Sequence, residues 1–418
     1  MTTKITRRGL LAASVAASAA AALPRIVGTS FAAGTSGDPI VIGHQCELTG
    51  WDAATGFWRN KVATGLCDWL NANGGIAGRP IKLVTVDTKS DVDAGVNQLR
   101  KLLLEDEVDF VIGSEISSIA IASNKIANEN KRLYLTMSSS EATTSKDNAV
   151  PYQFRLTTNS AATAAGAAQK YVESVGPRWV TFFADIKWGQ SERDWWAKGV
   201  AASGGEVDNA IALPVDAPDL LPFVMQIDRS ADGIFIPVLN ALQAIQLLRN
   251  SGYDQKIVLA GQSFSLFDYR ELGEFGDGVF GIETAPVSLA DMNSPEMADI
   301  YQALGIDGNG VDADSGKVVG SSMLLGIAQS LGFLKANVEQ SGWKTKQDTA
   351  ALIKHAESVP SYPKGPLFPL GDVTMRAQDH QAFMDIYLLQ MQAGSLVKYG
   401  VAPKDITIYD ADVDLTQG

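Results

Sequence analysis

Short apolar strands and amphipathic helices alternate along most of the chain, and this alternation constrains the fold more than any other feature. The first repeat comprises the strand Ile40–Gly43, a helix over about 56–72 and the strand Ile81–Asp87, and a helix capped by Asp91 follows. Strands that alternate with helices pair in parallel, because each helix returns the chain to the same edge of the sheet. The sequence therefore predicts an α/β fold with a doubly wound parallel sheet.

The alternation pauses at the extended segment Tyr152–Leu156 and then restarts at the strand Trp179–Ala184. The elements predicted after it are strands over 208–213, 233–238, 256–260 and 383–392, and helices over 192–202, 220–229, 241–250, 295–303, 315–338 and 347–357. Extended segments at 278–287 and 362–369 would form two more crossings. We therefore predict two doubly wound parallel-sheet lobes joined by a three-crossing hinge, with a ligand site in the cleft between them.

The predicted boundaries follow from these crossings. The expected segments are a signal peptide over 1–33, a first lobe over 38–156 and 287–362, a second lobe over 157–286 and 363–411, and a tail over 412–418.

Within the first lobe, the stretch Val108–Ala127 places an apolar strand, Gly113 and the pair Ser117 and Ser118 directly before a helix. A Ser at the N-cap would accept a bond from a first-turn amide, and the remaining amides could bind an anion such as a carboxylate. The open alternative is an ordinary Ser-capped helix behind a strand.

The N-terminus predicts where the protein is located, and the net charge limits which partners it can bind. Arg7 and Arg8 precede an apolar, Ala-rich segment that ends at an A-x-A-like cleavage site near Ala32, which predicts twin-arginine export to the periplasm. Cleavage would remove four basic residues and no acids, so the net charge of −13 becomes −13 − 4 = −17. Such an acidic protein is not expected to bind nucleic acid, and we expect a soluble monomer.

Motifs for catalysis, cofactors and metals are weak. Gly276-x-Gly278-x-x-Gly281 precedes a strand instead of a helix, and the prolines around Ser361-x-x-Lys364 oppose a catalytic helix. The three histidines are scattered, so we predict no metal, no cofactor and no enzyme activity. Cys46 and Cys67 are expected to be free thiols, because the intervening helix separates them.

Polar loops at the predicted strand ends form a better candidate site. Their candidate ligand-binding residues are Ser117, Ser118, Ser138, Ser139, Ser140, Trp188, Asn240 and Gln262. Each loop alone could be a simple turn or helix cap. Together they lie at one edge of two facing lobes, where open α/β sheets bind ligands.

These residues, with Asn71-x-x-Gly74-Gly75-Ile76-x-Gly78 and Asp185-x-x-Trp188-Gly189-Gln190, resemble the periplasmic solute-binding proteins of ABC importers of the leucine/isoleucine/valine-binding type. The resemblance covers essentially the whole mature chain. It implies the type I periplasmic binding fold, an inner-membrane ABC permease as partner, and an amino acid or related carboxylate as ligand.

The resemblance also implies roles for particular positions. Ser117 and the main chain of Ser138–Ser140 would hold the ligand carboxylate, and the positions of Thr55 and Trp188 are where aromatic residues close over the ligand in this family. The position of Gln262 is commonly Glu, which pairs with the α-ammonium. Gln here disfavours an ordinary amino acid and favours an aromatic or keto acid, although Glu47, Glu115 or Glu141 could take over that role.

The leading functional hypothesis is therefore a non-enzymatic carrier that captures a small carboxylate and delivers it to a permease. A ligand-sensing module that presents the closed form to a receptor is the alternative, and an exported hydrolase is the third possibility.

Overall fold

The computed structural model of the protein describes residues 35–261 and 263–417. The predicted signal peptide and Gln262 lie outside the described residues. The strands are β1 Ile40–Cys46, β2 Ile81–Asp87, β3 Phe110–Gly113, β4 Leu133–Leu135, β5 Gln153–Phe154, β6 Arg178–Ala184, β7 Glu206–Leu213, β8 Gly233–Ile236, β9 Lys256–Leu259, β10 Val279–Glu283, β11 Ser361–Tyr362, β12 Val373–Arg376, β13 Gln381–Phe383, β14 Ile386–Gln392 and β15 Ser395–Ala402.

The helices alternate with these strands through most of the chain. The α-helices are α1 Ala53–Ala72, α2 Val92–Leu104, α3 Ser117–Glu129, α4 Gly166–Ser174, α5 Lys187–Ala202, α6 Leu221–Val224, α7 Ala241–Asn250, α8 Leu289–Met292, α9 Pro295–Leu304, α10 Ser321–Ser341, α11 Thr349–Glu357 and α12 Lys404–Thr407. Short 3₁₀ helices cover Glu141–Thr144, Lys146–Asn148, Ser263–Ser265, Tyr269–Gly276, Lys346–Asp348 and Leu415–Gln417, and a π-helical turn covers Ala161–Ala165.

The first sheet has the strand order β2-β1-β3-β4-β5, and every pair in it is parallel. Helices α2 and α3 pack together, as do α1 and α10. Asp91 caps α2 as expected, because its carboxylate accepts a hydrogen bond from the Ala94 amide at 2.8 Å. We call this sheet and its helices the first lobe.

The second sheet has the order β15-β14-β10-β9-β8-β6-β7. Strands β6 to β10 pair in parallel, whereas β14 and β15 are antiparallel additions at one edge. We call this sheet and its helices the second lobe. Two mostly parallel sheets with alternating helices confirm the predicted α/β fold class.

The largest apolar cluster lies in the first lobe, where buried side chains of α1, such as Leu66 and Leu70, pack with those of α10, such as Leu331 and Leu334. Leu367, Phe368, Val373, Met375 and Met384 belong to the same cluster. The expected third crossing at 362–369 therefore does not leave the first lobe. After α11, the chain returns to the second sheet only between β13 and β14. We therefore propose that the last lobe boundary lies near Asp385 rather than at 363.

Three predicted helices differ from the observed ones, and one of them, expected over 192–202, begins five residues earlier, at Lys187. The helix expected over 220–229 is limited to α6, because the Asp228 carboxylate accepts bonds from the Ser230 amide and hydroxyl and so forms a turn. The helix expected over 315–338 begins only at 321. The residues before it form a turn in which the Asp312 carboxylate accepts a bond from the Ser315 amide at 3.0 Å.

Both cysteines are buried and free, as expected. The Cys46 thiol donates a weak bond to the Gly56 carbonyl at 3.3 Å. Among the described helices, none combines the length and apolar character that a membrane span requires.

Candidate functional site

The site begins where β3 ends and α3 starts. The N-cap of α3 is Ile116, without a side-chain cap bond, so the expected Ser cap is wrong and Ser117 and Ser118 occupy the first helical turn. First-turn amides have no partner within their own helix, and the helix dipole adds positive potential there. The Ser138 hydroxyl donates to the Ser117 hydroxyl at 2.9 Å, which fixes the Ser117 side chain from behind. This end of α3 can therefore bind an anion.

A cavity at this helix end encloses about 560 Å³ of space, part of it open to solvent. Its lining residues are Trp51, Asp52, Thr55, Glu115, Ile116, Ser117, Ser118, Ser139, Ile186, Lys187, Trp188, Leu239, Leu266 and Met323. We call it the first cavity. Its size suits a small organic ligand.

The two lobes supply different walls. The first lobe contributes most of the polar groups together with the apolar side chains of Trp51, Ile116 and Met323. The second lobe contributes mainly apolar side chains, such as Ile186, Trp188 and Leu239, and the exposed cation Lys187. These second-lobe residues follow β6 and β8, at the carboxyl ends of parallel strands. The cavity therefore lies at the sheet edge where α/β proteins bind ligands.

Two glycines allow helices to approach the strands that carry the site. A Cβ atom at Gly56 would lie 1.9 Å from the carbonyl oxygen of Glu47, and one at Gly189 would lie 2.1 Å from that of Ala184. Because any larger residue would clash, these positions bring the first turns of α1 and α5, with Thr55 and Trp188, up to the cavity.

A buried charged cluster lies beside the first cavity. Arg59 pairs with Glu115, with 2.6 Å between guanidinium and carboxylate, and also donates to the Met323 carbonyl at 2.9 Å. The Ser114 hydroxyl donates to Glu47, and the Thr55 hydroxyl donates to Asp52 at 2.7 Å. This cluster places three carboxyl groups around one cation.

Burial dominates the protonation of this cluster. It raises the pKa of Glu47 to about 7, although the bond from Ser114 opposes the shift, and it raises the pKa of Asp52 well above its usual value. Of the three carboxyl groups, Asp52 and Glu115 line the cavity. The first-lobe wall can therefore accept hydrogen bonds from a ligand as well as hold an anion.

The structure brings five of the predicted ligand-binding residues to the first cavity: Thr55, Ser117, Ser118, Ser139 and Trp188. Three others are absent from its lining. Ser138 lies behind Ser117, the Ser140 carbonyl accepts a bond from Arg155 at 2.8 Å, and Asn240 ends the loop in which Leu239 reaches the cavity instead. Gln262 lies outside the described residues.

Sequence reasoning missed several lining residues. Asp52 and Lys187 each adjoin or lie near a predicted residue, so a wider window around Thr55 and Trp188 would have included them. Met323 could not be found this way, because α10 packs against α1 across more than 250 positions of sequence.

Two of the three histidines, His380 and His44, occupy structural positions. His380 stacks on Phe154 with ring centroids 3.8 Å apart, and its Nε2 atom lies 3.1 Å from the Glu357 carboxylate. Burial lowers the pKa of His44 to about 3. Within the part of the chain that the structure describes, no group of three or more His, Cys, Asp or Glu side chains could hold a metal ion.

A cavity between two doubly wound α/β lobes is the architecture of proteins that close around a ligand. The family model described as periplasmic binding protein matches residues 39–395. The chain belongs to the periplasmic binding protein family, which confirms the resemblance inferred from its sequence.

Solved structures with the same fold include three solute-binding proteins. One is from R. palustris, in complex with benzoate. It is 18% identical with a TM-score of 0.74, and the alignment covers 88% of this chain and 97% of the other. A second protein from R. palustris, in complex with 4-hydroxybenzoate, is 19% identical with a TM-score of 0.72, and its alignment covers 86% of this chain and 95% of the other. The branched-chain amino acid transporter protein LivJ from Streptococcus pneumoniae, in complex with isoleucine, is 20% identical with a TM-score of 0.69, covering 87% and 99%.

Proposed function

We propose that this protein is the solute-binding component of an ABC importer, exported to the periplasm through its twin-arginine signal, and that it delivers a small carboxylate to an inner-membrane permease. The anion-binding end of α3 inside an interlobe cavity is the observation that carries the proposal. Family membership and the ligands named for the structural neighbours support it. In this role the protein acts as a carrier, without a chemical step.

The carboxylate of the ligand would bind the amides of the first turn of α3, next to the Ser117 hydroxyl. Lys187, which lies on the opposite wall at the start of α5, would add a second attraction when the lobes close. Trp188 would cover the apolar body of the ligand, because an aromatic ring buries a large area with few torsions to order.

The wall formed by Asp52 and Glu115 bears on whether the ligand has an amine. Glu115 already pairs with Arg59, so Asp52 is the lining carboxyl group left for an ammonium, and a bound ammonium would favour its ionised form against the burial that raises its pKa. An amino acid should therefore lose affinity when Asp52 is changed to Asn, whereas an aromatic acid without an amine should not. Gln262→Glu provides a second test, because a carboxylate added at this position should tighten the binding of a ligand only if that ligand carries an amine.

The experiment is calorimetry and thermal shift with leucine, isoleucine, benzoate and 4-hydroxybenzoate. A bound ligand at 100 times its Kd should add about 2.7 kcal/mol to the free energy of unfolding. Ser117→Ala should weaken the binding of every carboxylate ligand by up to about tenfold, and Ser139→Phe should block the first cavity.

Ser174→Ala, which changes an exposed serine of α4, is the matched control. Unchanged binding by both site variants would place the ligand elsewhere, and turnover of an ester or amide would overturn the carrier role.

A further inference from the structure

A second cavity of about 410 Å³ lies beside the first, at the crossings between the lobes. Its lining residues are Ser139, Thr157, Thr158, Thr163, Glu192, Gly261, Glu283, Thr284, Ser322, Leu325, Gly326, Gln329 and Met384. Thr157 and Thr158 follow β5, Thr284 follows β10 and Met384 precedes β14, so each passage between the lobes contributes to its wall. We call it the second cavity.

The second cavity presents hydrogen-bond acceptors that are not satisfied by the protein. Glu192 is 1% exposed and Gln329 is 3% exposed, and neither Oε2 of Glu192 nor Oε1 of Gln329 has a hydrogen-bond partner among the described residues. The hydroxyls of Thr157 and Thr158 are likewise unpartnered within residues 35–261 and 263–417. Buried polar groups are normally paired, so these atoms point to a bound partner.

The charge of the second cavity limits what that partner can be. Two carboxyl groups, Glu192 and Glu283, line it, whereas none of its described lining residues is Lys, Arg or His. An anionic group would therefore find no cation to pair with among the described residues of this cavity. A hydroxyl or amino group, which donates hydrogen bonds, fits the acceptors.

The two cavities adjoin each other. Ser139 lines both. Trp188 of the first cavity and Glu192 of the second lie one turn apart on α5, and Met323 and Ser322 are neighbours on α10. The second cavity therefore lies next to the place where the far end of a ligand bound at α3 would be.

We propose that the second cavity receives the far end of the ligand, and that this end carries a hydroxyl or amino group that donates to Glu192 and Gln329. The proposal rests on the proposed function, because the carboxylate at the other end is held by α3. The substrate class is thus an elongated carboxylate with a distal hydrogen-bond donor. Since all the crossings contribute to the second cavity, its occupant also contacts the hinge about which the lobes move.

The test uses pairs of probes that differ only in the distal donor. Calorimetry would compare benzoate with 4-hydroxybenzoate, and straight-chain carboxylates of about four to eight carbons with their ω-hydroxy and ω-amino derivatives. The ω-hydroxy and ω-amino arms distinguish a neutral donor from a cationic one. Gln329→Met and Glu192→Met remove one acceptor each at similar volume, and Glu274→Met, at an exposed position of the second lobe, is the control.

In the wild-type protein, at least one donor-bearing probe should bind about tenfold or more tightly than its apolar partner. Each acceptor variant should reduce this ratio to less than about threefold while leaving the affinity of the apolar partner nearly unchanged, and Glu274→Met should change neither. If Glu192→Met fails to fold, Gln329→Met still tests whether the distal donor binds in the second cavity.

Equal affinities within every pair, or a ratio that both variants leave intact, would overturn the inference and indicate a cavity that holds only water. Carboxylate binding would persist in that case, so the proposed function would stand. Absence of binding by every carboxylate would instead overturn the proposed function, and this inference with it.

Discussion

The two lobes build opposite walls of the same cavity from different chemistry. Apart from Trp51, Ile116 and Met323, the first lobe supplies a helix end, hydroxyls and the carboxyl groups of Asp52 and Glu115. The second lobe supplies Trp188, other apolar side chains and Lys187. This difference suggests that the two lobes contribute differently to ligand binding. A polar first lobe can orient a hydrated ligand in the open cleft, and a largely apolar second lobe can then exclude water when the cleft closes.

The difference extends to the buried carboxyl groups behind each wall, and the largest expected effect concerns their protonation. Burial raises the pKa of Glu192 in the second lobe to about 8, with Ser160 and Trp188 opposing the shift, compared with about 7 for Glu47 in the first lobe. Both folded-state values lie above the ordinary Glu value of 4.5. The folded protein therefore binds more protons than the unfolded chain in these windows, and the free energy of unfolding should fall as the pH rises from about 4.5 toward 8.

Glu192→Gln should reduce the decrease in the free energy of unfolding with rising pH by an amount on the order of a few kcal/mol, since one pKa unit corresponds to about 1.4 kcal/mol. Glu47→Gln should reduce this decrease less, and only up to about pH 7. Urea unfolding at about pH 5 and about pH 9 measures both variants, with Glu274→Gln as the exposed control. An equal effect at Glu47 would contradict the expected difference between the lobes, and a larger one would mean that burial raises the pKa of the first-lobe carboxyl group more.

Trp188→Ala tests the apolar wall. Because this side chain is only 8% exposed and covers the cavity, its loss should weaken binding by about 30-fold, equivalent to about 2 kcal/mol, and more for aromatic than for small ligands. Calorimetry with benzoate and isoleucine measures the effect. Trp195→Ala on the same helix, where the ring packs on Tyr409 outside the cavity, should leave affinity unchanged. Equal losses at Trp188 and Trp195 would indicate a general disturbance of α5.

Lys187→Gln tests the single cation on the second-lobe wall and should have the smallest effect. The ammonium is exposed, so we expect only a two- to fivefold loss of affinity for carboxylates, roughly 0.4–1 kcal/mol, which added salt should diminish. Titrations at low and high ionic strength measure it, with Lys198→Gln as the control on the same helix. A loss of 100-fold or more that salt does not change would mean that Lys187 is desolvated in the closed cleft and is a principal carboxylate ligand.

Local sequence signals anticipated the elements that hold the site. The alternation of strands and helices, the cap at Asp91 and the serines that follow β3 depend on neighbours in the chain, and the structure contains each of them near its expected place. The lobe boundaries and the individual residues that line the first cavity were harder to predict. Asn240 and Leu239 are adjacent in sequence, yet only Leu239 lines the cavity.

What the sequence by itself determined is the α/β class, the two-lobed arrangement and the sheet edge at which the first cavity lies, because periodicity and turn residues act over a few positions. What only the tertiary structure decided is the composition of the cavities. Met323, Ser322 and Gln329 come from α10, and they meet Thr55 and Glu192 only after distant segments have packed together. The raised pKa of Glu192 likewise comes from burial, which depends on the whole surrounding core and which no local pattern records.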